Sequence, residues 1–157
     1  MGNLIVVGIA DLKVASGDDV LITYALGSCV GTCIYDKTAK VIGLSHVLLA
    51  SKHMCLTDNN IYKYADTAIK ELVRQMVLRG ASVKRMTAKI AGGAHMFASS
   101  TIRIGEQNSA AVMEELKKLG IPLVAADIGD NYGRTMECWA ADGKVVIKSI
   151  LKGNKIL

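Results

Sequence analysis

Two apolar segments separated by a short polar one constrain the fold more than any other part of this chain. Val30–Tyr35 and Val41–Leu49 have the composition of β-strands, and Asp36–Lys40 between them has that of a turn. This pattern predicts a hairpin of two antiparallel strands about 4.8 Å apart. Direct pairing around residue 38 would place Cys29 opposite a position near 47, so the hairpin alone brings His46 close to the sulfur.

The remaining elements are predicted from periodicity. Apolar residues at helical spacing from Ile61 to Val77, followed by Arg79-Gly80, predict one helix, and Ser109–Leu119 predicts a second. Further strands are expected at Leu4–Val7, Val20–Tyr24, Met86–Ala91, Leu123–Ala126, Thr135–Ala140 and Lys144–Ile150. Two helices among about eight strands indicate an α+β fold, a layered α/β sandwich with mixed or antiparallel sheets and two main helices packed outside.

Composition indicates what fills such a sandwich. Hydrophobic residues make up 51% of the 157 positions and aromatic residues only 4%, so the core is expected to be aliphatic and rich in sulfur. Without repeats or linkers, the chain is expected to form a single domain over residues 1–157. No apolar run reaches the ~18 residues of a membrane span, and the first residues lack the charged start of a signal peptide. A cytoplasmic location without membrane insertion is therefore expected.

The charge pattern gives little support to nucleic-acid binding. The formal net charge is +5, but no block of five like charges occurs, and aromatic residues for base stacking are scarce. No nucleic-acid partner is therefore expected. Lys63, Lys70 and Arg74 would share one helical face by their spacing, where an acidic protein could dock, although a solvated face explains them more simply.

One cysteine follows a Gly-Ser pair, as Gly27-Ser28-Cys29, and a histidine, His46, lies on the next apolar segment. This arrangement can supply a thiol nucleophile and its base, and a nearby imidazolium lowers the pKa of such a thiol. A turn at Gly27 and Ser28 would bring peptide N–H groups close to a tetrahedral oxyanion. The hypothesis is therefore acyl-type chemistry at Cys29. The other cysteines are expected to be structural free thiols: Cys33, Cys55 and Cys138.

A third group must hold the imidazole in the correct tautomer. Four side chains are candidates for this role: Thr23, Ser45, Asp36 and Asp58. Thr23 is favoured because it lies on the strand that enters the turn at Gly27-Ser28-Cys29, which we call the cysteine turn. A hydroxyl, however, orients a histidine without adding charge.

Three other interpretations of these residues stay open. Buried cysteines often act only as small hydrophobic residues. Cys29 and Cys33 would lie roughly 13 Å apart on one strand, too far to share a metal ion. A metal site would otherwise draw on His46, His53, Cys55 and His95. Gly92-Gly93 could cradle a phosphate, but no lysine follows at P-loop spacing. A strand that bends close to the cysteine turn explains the glycines better, and His95 is expected at the surface or behind the site.

Several segments, in a fixed order along nearly the whole chain, match one known pattern. The segments are Ala25-Leu-Gly-Ser-Cys29-Val, His46-Val-Leu-Leu, Lys63-Tyr-Ala-Asp66, Lys89-Ile-Ala-Gly-Gly-Ala-His-Met-Phe97, Ile104-Gly-Glu-Gln-Asn108, Gly133-Arg134 and the Asp142-Gly143 hairpin. Together they resemble the CheD family of chemoreceptor glutamine deamidases. Each motif is short, and their shared order and spacing carry the resemblance.

The resemblance implies a cysteine hydrolase that converts selected glutamines of methyl-accepting chemotaxis receptors to glutamate and releases ammonia. The family nucleophile falls on Cys29, its histidine on His46 and its orienting threonine on Thr23. The resemblance also implies an α/β layered sandwich and CheC-type phosphatases as further partners. The expected thioester chemistry requires no metal or organic cofactor.

Three positions depart from the family pattern. Ala50, Gln107 and Asp130 stand where proline, arginine and glycine are usual. None belongs to the proposed catalytic set, so they bear on the loops at the rim and on the choice of receptor site. Two alternative functions use the same residues: a non-catalytic module that binds receptor or CheC, and a cysteine peptidase or acyl transferase.

Overall fold

The computed structural model describes residues 2–157, and within them ten strands and two α-helices follow one another. In chain order they are β1 (Leu4–Val6), β2 (Leu12–Ser16), β3 (Val20–Leu26), β4 (Val30–Asp36), β5 (Val41–Val47), α1 (Ala65–Leu78), β6 (Met86–Gly92), α2 (Ile104–Lys118), β7 (Leu123–Ile128), β8 (Arg134–Trp139), β9 (Val145–Ser149) and β10 (Gly153–Ile156). Short 3-10 turns occupy Lys52–Met54 and Val83–Arg85. No helix in this range is both long and apolar enough to cross a membrane.

The strands form two five-stranded sheets. The first sheet has the order β1-β3-β8-β9-β10, and the second has the order β2-β5-β4-β6-β7. Strand β1 runs parallel to β3, and β6 runs parallel to β7, whereas the other pairs are antiparallel. The predicted α+β sandwich with mixed sheets is therefore confirmed.

Alternation along the central strands divides the core into two layers. On β5, Ile42 and Leu44 belong to the apolar cluster between the two sheets, and Val41 and Val47 belong to the cluster beneath the helices. Side chains of alternate residues point to opposite faces of a strand. His46 therefore shares the face of Ile42 and Leu44, and its ring lies between the sheets.

Helix α1 covers the outer face of the second sheet with the predicted apolar stripe. Its buried residues are Ala65, Ala68, Ile69, Leu72, Val73 and Met76. Gly43 of β5 makes room for the helix, because a Cβ there would lie 2.7 Å from Leu72 Cδ1. The helix begins at Ala65, so Lys63 precedes it and pairs with Asp58 instead of sharing a helical face with Lys70. The predicted three-residue basic face is wrong at that position.

The start of α2 and the presence of two further strands differ from the prediction. Helix α2 begins at Ile104, five residues before the expected start, because its first turns are buried against the segment that follows β6 in spite of an internal glycine. Strand β10 was not predicted, since all four of its residues are exposed and show no alternation. Strand β2 was not predicted either, because its Leu12–Ser16 segment is short and interrupted by an exposed lysine.

Candidate active site

Thr23 holds the ring of His46. Its Oγ1 lies 2.7 Å from the carbonyl oxygen of Val7 and 2.7 Å from Nδ1 of His46. A carbonyl oxygen can only accept, so the single hydroxyl hydrogen of Thr23 is donated to Val7. Nδ1 of His46 must then carry the hydrogen that it donates to Thr23 Oγ1. The imidazole is therefore held in the tautomer whose Nε2 is unprotonated and can accept a proton.

The two sheets together create this contact. Thr23 lies on β3 of the first sheet, and His46 lies on β5 of the second. Val7 follows β1, which pairs with β3 in parallel, and its N–H donates to the carbonyl of Ile22. Both Thr23 and His46 are fully buried. The imidazole is thus oriented by a residue that approaches from the opposite sheet.

The other three candidates for the orienting role lie elsewhere. Asp36, at the far end of β4, forms an ion pair with Arg85 at 2.9 Å. Asp58 pairs with Lys63 at 2.9 Å. Ser45 is the sequence neighbour of the histidine, so its side chain points to the opposite face of β5. Among the candidates considered, the threonine is the one that reaches the imidazole.

Cys29 lies directly before β4, and β4 is the neighbour of β5, the strand that carries His46. Val30 pairs with Val47 and Gly31 pairs with His46, so Cys29 falls one residue beyond the predicted register. Cys29 belongs to the apolar cluster between the sheets. The thiol and the imidazole therefore point into the same space between the sheets, with Cys29 two residues before Gly31, the partner of His46.

The proton acceptor of His46 is free in this resting arrangement. Within residues 2–157, Nε2 is buried and has no hydrogen-bond partner. Cys29 is 7% exposed, whereas His46 and Thr23 are at 0%. Cys29 is therefore the least buried of the three residues, and the two that would assist it lie beneath. Catalytic hydrogen bonds of this kind often tighten only when substrate binds.

Burial keeps both reactive groups neutral. It lowers the pKa of His46 to about 4. Burial also raises the pKa of the Cys29 thiol, against a smaller lowering by its own backbone N–H. The expected lowering of the thiol pKa by an imidazolium is therefore wrong for the resting site. Since low polarity disfavours both charged forms, the site holds a neutral thiol beside a neutral imidazole.

The turn before Cys29 has an unusual backbone. Ala25 has a φ of 60°, although it is not glycine, and the pairing of β3 with β8 shifts between Thr23 and Leu26. The N–H of Gly27 donates to the carbonyl of Ala25 at 3.0 Å, so it is not free for an oxyanion. In contrast, the N–H groups of Ser28 and Cys29 donate to no other residue in the range 2–157. These two groups are left for the predicted oxyanion role.

The two glycines at the end of β6, Gly92 and Gly93, hold the cysteine turn from the other side. The N–H of Gly93 donates to the Cys29 carbonyl, and that of Ala94 donates to the Gly27 carbonyl, both at 2.9 Å. Gly92 has a φ of 108°, and a side chain on it would collide with the Cys29 carbonyl oxygen. The expectation that these glycines bend the strand close to the cysteine turn is confirmed.

The residues of the alternative metal interpretation lie apart from one another. His53 is exposed on a 3-10 turn, and Cys55 is partly exposed beside Thr57. His95 is half-buried, and its N–H donates to the Asp130 carbonyl. Across residues 2–157, no three His, Cys, Asp or Glu side chains come together as a potential set of metal ligands.

Two buried polar residues support the site without having been assigned a role from the sequence. Asn108 of α2 donates from its amide to the carbonyls of Ser28 and Leu48. Arg134 of β8 pairs with Asp127 and donates to the Gly129 carbonyl. Both residues belong to motifs that match the family pattern, and this was the only sequence signal pointing to them.

Two openings of the structure border the cysteine turn. A pocket of about 210 Å³ includes Ser28 and is bordered by exposed Met96, Phe97 and Ile102. A second pocket, of about 330 Å³, includes Ala25. The largest cavity, about 460 Å³, lies towards the far end of β4 around Cys33, Tyr35 and Lys89, away from His46. The two smaller pockets therefore border the cysteine turn, one at Ser28 and the other at Ala25.

Fold and site together define a class of protein, an α+β sandwich with a thiol beside an oriented imidazole. The sequence model of the family described as CheD chemotactic sensory transduction matches residues 48–149. A protein of Caldanaerobacter subterraneus subsp. tengcongensis, described as a probable chemoreceptor glutamine deamidase CheD, is 46% identical over 155 residues, 96% of each chain. The chain belongs to the CheD family, which confirms the resemblance found in its motifs.

Two further relatives carry the same description as probable chemoreceptor glutamine deamidases. The protein of Lachnoclostridium phytofermentans is 45% identical over 159 residues, 99% of each chain. That of Syntrophomonas wolfei is 44% identical over 161 residues, 100% of each chain. These similarities extend over Thr23, Cys29 and His46, which precede the segment matched by the family model.

Proposed function

We propose that this protein converts glutamine side chains in the cytoplasmic region of methyl-accepting chemotaxis receptors to glutamate and releases ammonia. The observation that carries the proposal is the fixed tautomer of His46, whose Nε2 is a free acceptor in the same space as the Cys29 thiol. The descriptions of relatives over the full length of the chain support the choice of substrate.

Acylation begins from the neutral pair. As Cys29 Sγ attacks the carboxamide carbon, the thiol proton moves to Nε2 of His46, and the carbonyl electrons move to the oxygen. The N–H groups of Ser28 and Cys29 stabilise this oxyanion. The C–N bond then breaks, and the departing nitrogen takes the proton from Nε2 and leaves as ammonia. Because burial lowers the pKa of the His46 imidazolium to about 4, it gives up this proton more readily than an ordinary histidine.

Deacylation uses the same groups in reverse. Water attacks the thioester carbon while Nε2 accepts one of its protons, and collapse of the intermediate breaks the C–S bond. The sulfur takes the proton back from Nε2, and the receptor side chain leaves as glutamate. Thr23 keeps Nδ1 protonated throughout, so the imidazole returns each time with Nε2 free.

The product of the reaction tests this proposal. Purified protein is incubated with a glutamine-bearing receptor cytoplasmic fragment, and ammonia and intact mass are followed together. Deamidation adds about one mass unit per glutamine, and an acid-quenched thioester appears at the summed mass of enzyme and receptor fragment less one ammonia. Cleavage of the fragment would replace the proposal with peptidase activity. Tight binding without ammonia or mass change would replace it with a non-catalytic interaction module.

Thr23→Val is expected to lower kcat roughly 10- to 100-fold, less than loss of the nucleophile. Valine has nearly the same shape but cannot accept the Nδ1–H of His46, so the imidazole loses its fixed tautomer. Steady-state kinetics on the receptor fragment measures the effect. Thr23→Ser is the matched control, because it keeps the hydroxyl and should retain most activity. Equal activity of the valine and serine variants would exclude the orienting role.

We further propose that a CheC-type phosphatase binds this protein, as the family resemblance implies. Isothermal titration with purified CheC from the same organism, where one exists, tests this directly. Saturable binding with a fixed stoichiometry is the expected result. Absence of heat at micromolar concentrations, confirmed by co-elution, would remove CheC from the partners while leaving the deamidase proposal intact.

A further inference from the structure

Helix α2 reaches the candidate site through one buried side chain, Asn108. Its Nδ2 lies 3.0 Å from the carbonyl oxygen of Ser28 and 2.9 Å from that of Leu48. Ser28 directly precedes Cys29, and Leu48 follows His46 by two residues. One amide group therefore joins the segment that carries the thiol to the strand that carries the imidazole.

The packing of α2 leaves this amide little freedom. Gly105, one turn earlier, lies against the backbone of Gly93 and Ala94, where a side chain would collide with both carbonyl oxygens. Ser109 occupies the space that a side chain on Gly93 would need. Since the N–H groups of Gly93 and Ala94 donate hydrogen bonds to the cysteine turn, the start of α2 and that turn form one packed unit.

Asparagine is a costly residue for this position unless its donors are needed. It is fully buried in a helix interior, where an aliphatic side chain would pack without desolvating an amide. An amide nitrogen has two hydrogens, and here both are directed to carbonyls of the site. Its Oδ1, in contrast, is buried and has no partner within residues 2–157. The side chain therefore donates hydrogen bonds to the two carbonyls while its own oxygen is left without a hydrogen bond.

We propose that Asn108 is a positioning residue for the deamidation reaction, fixing the separation between Cys29 Sγ and His46 Nε2. This inference rests on the proposed function and adds a residue to it. Ser28 precedes Cys29 at the start of β4, and Leu48 follows the end of β5, so loss of the shared donor lets the cysteine turn move relative to β5. A displacement of about 1 Å is enough to lower the rate of a reaction that depends on alignment roughly 100-fold.

Kinetics of Asn108→Ala and Asn108→Asp test the inference. Both variants lose the two donated hydrogens, and the second keeps the shape of the side chain. We expect kcat to fall roughly 10- to 100-fold with little change in KM, because alignment and not receptor binding is affected. Ser109→Ala is the matched control on the next buried residue of α2. Values of kcat for both Asn108 variants within twofold of the Ser109→Ala value would overturn the proposal.

A second measurement does not depend on the substrate. The rate of Cys29 alkylation by iodoacetamide is followed against pH in a Cys55→Ser background, which removes the partly exposed thiol. We expect the midpoint of this profile to move in the Asn108 variants and to stay unchanged in Ser109→Ala. Both measurements are made at a temperature at which circular dichroism shows each protein to be folded. If Asn108→Ala is unfolded at every temperature, the alkylation profile of Asn108→Asp is used instead.

The two measurements separate this inference from the proposed function. If the wild type does not deamidate but the alkylation midpoint moves in the Asn108 variants, the proposed function is refuted and the positioning role is retained. Normal deamidation in the wild type, with unchanged kcat and alkylation midpoint in the Asn108 variants, would refute the positioning role alone.

Discussion

Replacement of Cys29 by alanine should remove deamidation to the limit of detection while leaving the protein folded. The Cys29 sulfur is the group of the proposed site that forms the thioester, and its residue is less buried than Thr23 and His46. The change removes one buried heavy atom, so the free energy of unfolding should fall by only about 1 kcal/mol. Ammonia release and intact mass of the receptor fragment measure activity, and urea denaturation measures stability.

Cys33→Ala is the matched control for that variant. Cys33 belongs to the same apolar cluster and is also buried, but it lies within β4 and pairs with Leu44, on the other side of the Gly31–His46 pair from the cysteine turn. It should lose a similar amount of stability and keep its activity. Ammonia release that persists in Cys29→Ala, or disappears equally in Cys33→Ala, would contradict the assignment of the nucleophile.

Local features of the sequence were enough to predict the contacts of the candidate site that form within one sheet. The pairing of β4 with β5 depends only on two strand-forming segments and the turn between them, so the approach of Cys29 to His46 was predicted to within one residue. The same is true of Gly92-Gly93, whose lack of side chains indicated a close backbone contact. In each case the sequence of the interacting segment itself indicates the contact.

Contacts between layers could not be predicted in this way. Thr23 reaches His46 from the opposite sheet, and from the sequence it was one of four possible partners. Asn108 belongs to a helix that begins earlier than its periodicity suggests, because its first turn is defined by tertiary packing against the cysteine turn. The ionisation of Cys29 depends on burial that only the packed sheets create.

One departure from the family pattern acquires a physical meaning in the structure. Asp130, where glycine is usual, has a φ of 57°, in the left-handed region that glycine adopts without strain. Aspartate tolerates this conformation better than most residues. Its carbonyl accepts the N–H of His95, so the substitution preserves the loop beside the site.

Loss of the base should rank second among the effects on activity. His46→Gln keeps a polar side chain of similar length but cannot exchange a proton, so kcat should fall roughly 100- to 10,000-fold. In the wild type, kcat/KM should decline on the acid side near the His46 pKa of about 4 and not near the ordinary histidine value. This limb of the pH profile should disappear with the histidine. His53→Gln, at an exposed histidine, is the control and should keep both the rate and the profile.

The same variant should change how stability depends on pH. His46 has a pKa of about 4 when folded and an ordinary value of 6.5 when unfolded. Between these values the unfolded chain binds a proton that the folded protein excludes. The stability of the wild type is therefore lost progressively as pH falls from 6.5 to 4, and His46→Gln should show a shallower decline over that window. Urea midpoints of both proteins measured from pH 7 to pH 4 decide the matter, and parallel curves would show that His46 is not held neutral by burial.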